Sequence, residues 1–377
     1  MMLARSLRAA ERLSEDLAGA RGLKGLVRRL PDSTLGDFLA SLSPKALRRH
    51  VQRQVLVEHR RKALEPKVLP IGAIAVDGKN VATLDHEANS DCQKQSSQGG
   101  APHWLYRVVN ATLISSAANV CIDQQPIPAD TNDMGVFPDF FNNLMRTYGR
   151  CDLFELVSTD SGFCSEANAR LINEAQKAYF ISLKDNQPDL KREAERILLA
   201  KASCSEPEAQ TDWESDSSRG WIRRQLWRTD EMAGWGKWAH LRQVVLVRVL
   251  ARHGKNGPER VLEDRYYVTN LARGRLRGEQ LLKLVRAHWR IENNLHGALD
   301  IQWQEDHGLW VKRGNGLPVT ALLRVLAYNL LSLLRAVHLR TVLARAAAWD
   351  QLRNWIRDAM VWPDLLTCER EAPPITR

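Results

Sequence analysis

The sequence predicts an α/β protein: a mixed sheet flanked by helices, interrupted by a β-rich insertion and preceded by a helical region. Three observations predict it. Apolar runs of strand length alternate with helical segments between residues 69 and 187. A second group of strand-like runs follows a polar stretch near residues 203–220. Segments of helical period occupy both ends of the chain.

The N-terminal part is helical and basic. Asp32, Ser33 and Thr34 offer caps to TLGDFLASL, and Ser43 followed by Pro44 opens KALRRHVQRQVLVEHRRK. The second helix carries Arg48, Arg49, Arg53, Arg60, Arg61 and Lys62, which fits either a DNA-contacting arm or a solvated face. From Leu69 the chain turns to strands: IGAIAVD, a buried run ending in an acid, then VATLD, HWLYRVVNATLIS and ANVCIDQQPI. A helix over about Met134–Tyr148, with Asn132 and Asp133 as caps, leads to the strand LFELVST. Asp160 follows that strand directly. A helix from Ser165 to Gln176 then precedes AYFISLK.

After Asn186 comes the helix PDLKREAERILLA, and residues 203–220 read as an exposed loop. WIRRQLWR, LRQVVLVRVLA and RYYVTNL are strands of a separate β-rich insertion. Helical period returns at Arg277 and runs through EQLLKLVRAHWRIENNLHGALDI. A long apolar helix from Val319 and an amphipathic one over Trp349–Met360 complete the chain, and the last ten residues are expected to fray. Five regions result: a basic helical one over 1–67, the first part of the core over 68–187, the insertion over 188–276, core completion over 277–340, and a helix and tail over 341–377.

Composition narrows the class of function. The 377 residues exceed one typical core, and 44% hydrophobic with 26% charged content is ordinary for a folded domain. A net charge of +10 favours a polyanionic partner, nucleic acid first. Cys92, Cys121, Cys151, Cys164, Cys204 and Cys368 form no C-x-x-C pair, which argues against a zinc ribbon or a disulfide framework and for a reduced cytoplasmic protein. The first ten residues lack a signal-peptide core, and Arg324 and Arg335 interrupt Val319–Val337, so a core helix is expected there and no membrane.

Three acids stand at element ends: Asp77, Asp160 and Glu292. Taken singly, Asp77 in Asp-Gly-Lys is a turn residue, Asp160 a helix cap and Glu292 a solvated carboxylate. Together, on neighbouring strands and a helix packed against them, they suit two Mg2+ ions about 3.5–4 Å apart that serve an in-line phosphoryl transfer. His288, Glu292 and His296 share a helix face, yet the Glu lies midway, so the zinc spacing H-E-x-x-H is absent. The imidazoles are expected to contact phosphate or to support the acid. Trp221, Trp227, Trp235 and Trp238 fit packing or base stacking. Glu305 and Asp306 form a second acidic pair, for metal support or for basic partners.

VDGK at 76–79, STDSGF at 158–163, SLKDNQPDL at 182–190 and HWRIENNLH at 288–296 together resemble the DDE transposases of bacterial insertion sequences. The subgroup with a β-rich insertion before the Glu is the most similar. The likeness runs from about Ile71 to Leu334, with 83 residues from Asp77 to Asp160 and 132 from Asp160 to Glu292. It implies a ribonuclease H-like core in which Asp77, Asp160 and Glu292 are the catalytic metal ligands for Mg2+, with Mn2+ as a substitute. It also implies Lys79, Lys184, Asn186, His288, Arg290 and His296 as DNA contacts. Water would cut at the ends of the element, and the freed 3′-hydroxyl would join target DNA. The implied partners are double-stranded DNA, as terminal inverted repeats and target, and a second copy of the chain in the synaptic complex. The implied location is the bacterial cytoplasm, at the nucleoid when bound to DNA. The subgroup's Tyr, Arg and Lys around the Glu are replaced by Val285, His288 and Leu299. A ribonuclease H-like nuclease and an inactive DNA-binding remnant are the alternatives.

Overall fold

A computed structural model describes residues 6–20, 30–96, 100–216, 218–254, 257–306 and 310–361. The expected fraying of the last ten residues lies outside them, as do Cys368 and the first five residues. Three helices lead: α1 (Leu7–Ala20), α2 (Asp32–Ser41) and α3 (Pro44–Arg60). The Ser43 side chain caps α3 by accepting from the Ala46 N–H, and Pro44 sits where a missing N–H costs nothing. α3 buries Val51 and Val55 and leaves Arg49, Arg53 and Arg60 exposed.

The core strands are β1 (Ala73–Leu84), β2 (Cys92–Gln95), β3 (His103–Leu113), β4 (Cys121–Pro126), β5 (Leu156–Thr159) and β6 (Ala178–Leu183). Helices α4 (Asp133–Tyr148) and α5 (Glu166–Glu174) separate the last three. β1 pairs antiparallel with β3 and parallel with β5, β5 runs parallel to β6, and β4 joins β3 antiparallel. This is the ribonuclease H-like mixed sheet that the resemblance implied.

The structure corrects two readings here. IGAIAVD and VATLD are not two strands but one, because Asp-Gly-Lys continues the ladder, Asp77 opposite Asn110 and Gly78 opposite Val109. Asp77 therefore lies inside a strand and not at its end. Nor is the insertion a separate unit. After α6 (Pro188–Cys204) come β7 (Ala209–Gln210), β8 (Glu214–Asp216), β9 (Gly220–Thr229), β10 (Gln243–Arg252) and β11 (Arg260–Thr269). β11 pairs antiparallel with β6, from Tyr266 opposite Leu183 to Thr269 opposite Phe180. The unpaired edge of β6 is covered by the insertion, and a single sheet of eleven strands results. The stretch 203–220 contributes β7 and β8 to that sheet instead of forming a loop.

Alternation along β1 sorts its side chains between two layers. Ile74 and Val76 pack with Phe137 and Phe141 of α4 and with Leu190 of α6. Ala73 and Ala75 face the opposite layer, made by α7 (Gly278–His288), α8 (Gly297–Trp303) and α9 (Gly316–Leu333). Asp77 and Lys79 share that second face by the same alternation. Between α7 and α8, Ile291–His296 winds as one π-helical stretch. α9 is apolar enough to cross a membrane by length and composition, but it is largely buried within the molecule. A π-helical turn (Leu334–His338), α10 (Val342–Arg345) and α11 (Trp349–Val361) close the described chain.

Candidate active site

Asp77 is carried by the middle of β1, Asp160 by the turn that leaves β5, and Glu292 by the π-helical stretch. β1 and β5 are hydrogen-bonded neighbours, with Val76 opposite Thr159, so the two aspartates leave the sheet side by side. Asp160 caps the short 3-10 turn Ser161–Phe163, its Oδ1 accepting from the Gly162 N–H at 3.1 Å. Ser165, not Asp160, caps α5.

The three carboxylates feel one another. Burial pushes the Asp77 carboxyl up to about 8, and the charges of Asp160, Glu292 and Asp133 add to the rise against the Gly78 N–H. Asp160 is raised by burial and by Asp133, opposed by the Gly162 N–H and Lys184. Glu292, exposed at the rim, is raised by burial and by Asp160, with Arg265 and Lys184 opposing. Like charges gathered this way destabilise one another unless a cation or proton intervenes. Hard carboxylate oxygens with mutual repulsion fit a divalent cation of the Mg2+ kind. Among the described residues no group of three or more His, Cys, Asp or Glu side chains is arranged to hold a metal ion.

Sequence reasoning missed Asp133 as more than a cap. Asn132 is the cap, accepting from the Gly135 N–H at 3.0 Å. Asp133 binds Arg107 Nη2 at 2.7 and 2.9 Å and lies against Gly78, where a Cβ would collide with its Oδ1. Gly78 serves a close approach between β1 and α4, which its turn-like context in the sequence does not reveal.

The six residues implied as DNA contacts are found in different settings. Lys184 is exposed and close enough to lower both Asp160 and Glu292. Asn186 is exposed, yet its Nδ2 donates to the Ser161 and Cys164 carbonyls at 2.8 and 3.1 Å and so fixes the turn bearing Asp160. Lys79 is 7% exposed, and its amine meets Asp300 at 2.6 Å and Glu305 at 3.1 Å. Glu305, fully buried, also faces Arg324 at 3.9 Å, so it takes basic partners. Arg290 donates to the Ile114 carbonyl at 3.3 Å, and burial lowers its pKa.

His288 and His296 both meet the sheet face that carries Asp77, and the π-helical stretch Ile291–His296 holds Glu292 between them. His288 Nδ1 meets Ser158 Oγ on β5 at 3.0 Å, and burial, then Arg265, pushes its pKa down to about 4. His296 is 8% exposed, lies 3.6 Å from Asp77 Oδ2, and is pushed down to about 3 by burial and by Lys79. Burial favours the neutral form of both rings.

Beside Glu292 opens a cleft of about 520 Å³ between the insertion strands and α7. Arg219, Arg224, Arg265, Arg286 and Trp289 line it. Arg265 stacks on Trp289 at 4.6 Å, and Arg286 and Arg265 are among the groups that lower the pKa of Arg224. Glu214 and Glu263 partly neutralise these cations, Arg224 at 3.4 Å and Arg265 at 2.6 Å. Of the tryptophans weighed for stacking, Trp227 and Trp238 are buried and Trp235 packs against the core. Trp221 is half-buried on β9. Trp289 is the one nearest the acids by chain position.

The chain resembles known proteins over most of its length. The family described as Transposase DDE domain matches residues 69–330. YbfL of Escherichia coli K12 is 27% identical over 69% of this chain and 64% of its own length. The H repeat-associated candidate transposase YhhI of the same strain is 25% identical over 68% of this chain and 65% of its own. The candidate transposase YncI of Escherichia coli O157:H7 is 23% identical over 68% and 61%. This chain thus spans less than two thirds of those relatives. A cryo-EM structure of piggyBac transposase in a synaptic complex with hairpin DNA aligns at a TM-score of 0.40, with 10% identity over 81% of this chain and 55% of that one.

Proposed function

The chain belongs to the transposase family defined by the DDE domain, and from that premise we propose that it cuts DNA at the ends of a mobile element and joins the freed 3′-hydroxyl to target DNA. The observation that carries this is the convergence of Asp77, Asp160 and Glu292, from three distant parts of the chain, into one mutually repelling cluster. These three would hold Mg2+, or Mn2+ in its place, as two ions. A divalent cation there supplies neutralisation of the attacked phosphate and activation of the attacking oxygen.

The remaining groups act from the protein side. Lys184, exposed beside Asp160 and Glu292, steadies the DNA backbone next to the acids. The arginine-lined cleft takes further phosphates, and the aromatic floor at Trp289 offers a stacking surface. Lys79, His288 and His296 support the acids from within instead of reaching DNA: Lys79 Nζ is held by Asp300 and Glu305, His288 Nδ1 meets Ser158, and His296 Nε2 meets Asn110. Exposed Arg49, Arg53 and Arg60 on α3 provide a second basic surface. Two copies of the chain would meet in the synaptic complex, one active site for each DNA end.

The test uses DNA carrying the inverted repeats that flank the gene, incubated with protein and Mg2+ or Mn2+. Metal-dependent nicking at the repeat ends followed by strand joining, both lost in Asp160→Asn, is expected. Cleavage without joining to an added target would make the protein a nuclease, and specific binding without cleavage would make it a DNA-binding remnant.

A further inference from the structure

A chain of buried polar groups behind Asp77 decides how His296 can behave. Asn110 is fully buried on β3, directly opposite Asp77 in the ladder. Its Oδ1 accepts from Gln124 Nε2 at 2.9 Å and faces the Cys121 thiol at 3.9 Å. Its Nδ2 is therefore the atom presented to His296 Nε2, at 3.2 Å. An amide N–H is satisfied only by a nitrogen that keeps its lone pair, so the neutral ring carries its proton on Nδ1. That Nδ1 is the atom 3.6 Å from Asp77 Oδ2.

The far end of the chain is braced. Asp123, fully buried, accepts from the Gln124 backbone N–H at 2.9 Å. Arg48 of α3 grips both Asp123 oxygens at 2.7 Å, and Gln52 adds a bond at 3.2 Å. Gln124 is thus fixed in place, and Asn110 with it.

Resting on the reading of Asp77 as a metal ligand, we propose that Asn110 is a positioning residue. With Gln124 it holds His296 as the Nδ1–H tautomer, which orients Asp77 and bars the ring from ligating a cation. Nε2 spends its lone pair on Asn110, and Nδ1 has none to offer. The ring's Nδ1–H then faces one Asp77 oxygen, at 3.6 Å, and leaves the other for the ion. The site stays all-oxygen, which suits Mg2+ and Mn2+, whereas an available imidazole would favour Zn2+.

The experiment uses the full-length protein with 15N-labelled histidine, alongside Asn110→Asp. In the wild type, NMR is expected to show His296 as the Nδ1–H tautomer, its signal assigned by loss in His296→Gln. Asn110→Asp places an acceptor against Nε2, draws the proton there and frees Nδ1. Calorimetric Mn2+ affinity is then expected to fall by about 10-fold while Zn2+ affinity rises. An Nε2–H tautomer in the wild type overturns the proposal. A switched tautomer with Mn2+ and Zn2+ affinities unchanged overturns it equally. If Asn110→Asp does not fold, the wild-type tautomer and the Mn2+ affinity of Gln124→Leu decide the matter. All these readouts are made without DNA, so a protein that cuts no DNA would sink the transposase reading alone. Mn2+ binding unaffected by Asp77→Asn would sink the metal-ligand reading.

Discussion

Asp77 shows how much one side chain carries. Its carboxyl is raised from 3.8 to about 8 in the fold. Between those values the metal-free folded state keeps a proton that the unfolded chain has lost, so stability falls as pH rises through that window. Replacing it with the neutral amide removes the penalty. Asp77→Asn is expected to flatten the fall in Tm between pH 4 and 8 in chelator and to raise Tm at pH 8 by a few degrees, taking about 1 °C per kcal/mol for a chain of this length. The same variant loses cleavage. A melting series over pH with and without Mg2+ checks both, since the cation should restore the wild type and leave the variant unmoved. The sequence disclosed Asp77, Asp160 and Glu292 through motif and spacing. It did not disclose Asp133 or Asn110, because nothing local marks a residue whose role is to touch a neighbour on another strand or helix.

Elements bring these residues together, and two of their junctions invite tests. Gly78 lets the start of α4 lie against β1. Gly78→Ala must displace Asp133, and through it Arg107, at the edge of the acids. A shift of about 1 Å there is expected to lower the cleavage rate on the order of 100-fold while the fold survives by circular dichroism. Asp133→Ser in the Gly78→Ala background should recover part of the loss. The second junction is Arg228 on β9, 6% exposed. It binds Glu208 at 2.8 Å and the carbonyls of Arg273 and Leu276 at 3.0 and 2.9 Å, tying the insertion strands to the approach of α7. Arg228→Ala leaves the Arg273 and Leu276 carbonyls without that partner, while Glu208 keeps Arg273, and should cost about 1–3 kcal/mol in urea unfolding. The strand and helix segments were readable from periodicity. Where β1 ends was not, since Asp-Gly-Lys has turn chemistry locally and only pairing with β3 and β5 keeps it extended.

Across the whole molecule, the net charge of +10 gains a location. Part of it lines the cleft beside Glu292 and part lies along α3. If the cleft holds DNA phosphate, Arg286→Ala should reduce the slope of log binding constant against log salt by about 1, with little change in sequence preference. An unchanged slope, measured by fluorescence anisotropy over a salt series, would remove Arg286 from the DNA path. Arg286 suits this test because its side chain is half exposed and Glu214, its partner, keeps Arg224.

The sequence by itself determined the mixed α/β class, most of the core strands and helices and the basic character of the chain, and it singled out the three acids as candidates. Those are written in local pattern: apolar period, caps, and carboxylates spaced as the family spaces them. Only the tertiary structure decided that the insertion extends the core sheet, because the free edge of β6 needs hydrogen-bond partners that no local pattern names. It likewise decided that Lys79 is consumed by Asp300 and Glu305, 221 residues away in the first case. His288 and His296 likewise find partners that no local pattern names, Ser158 on β5 for the first and Asn110 and Asp77 on β3 and β1 for the second.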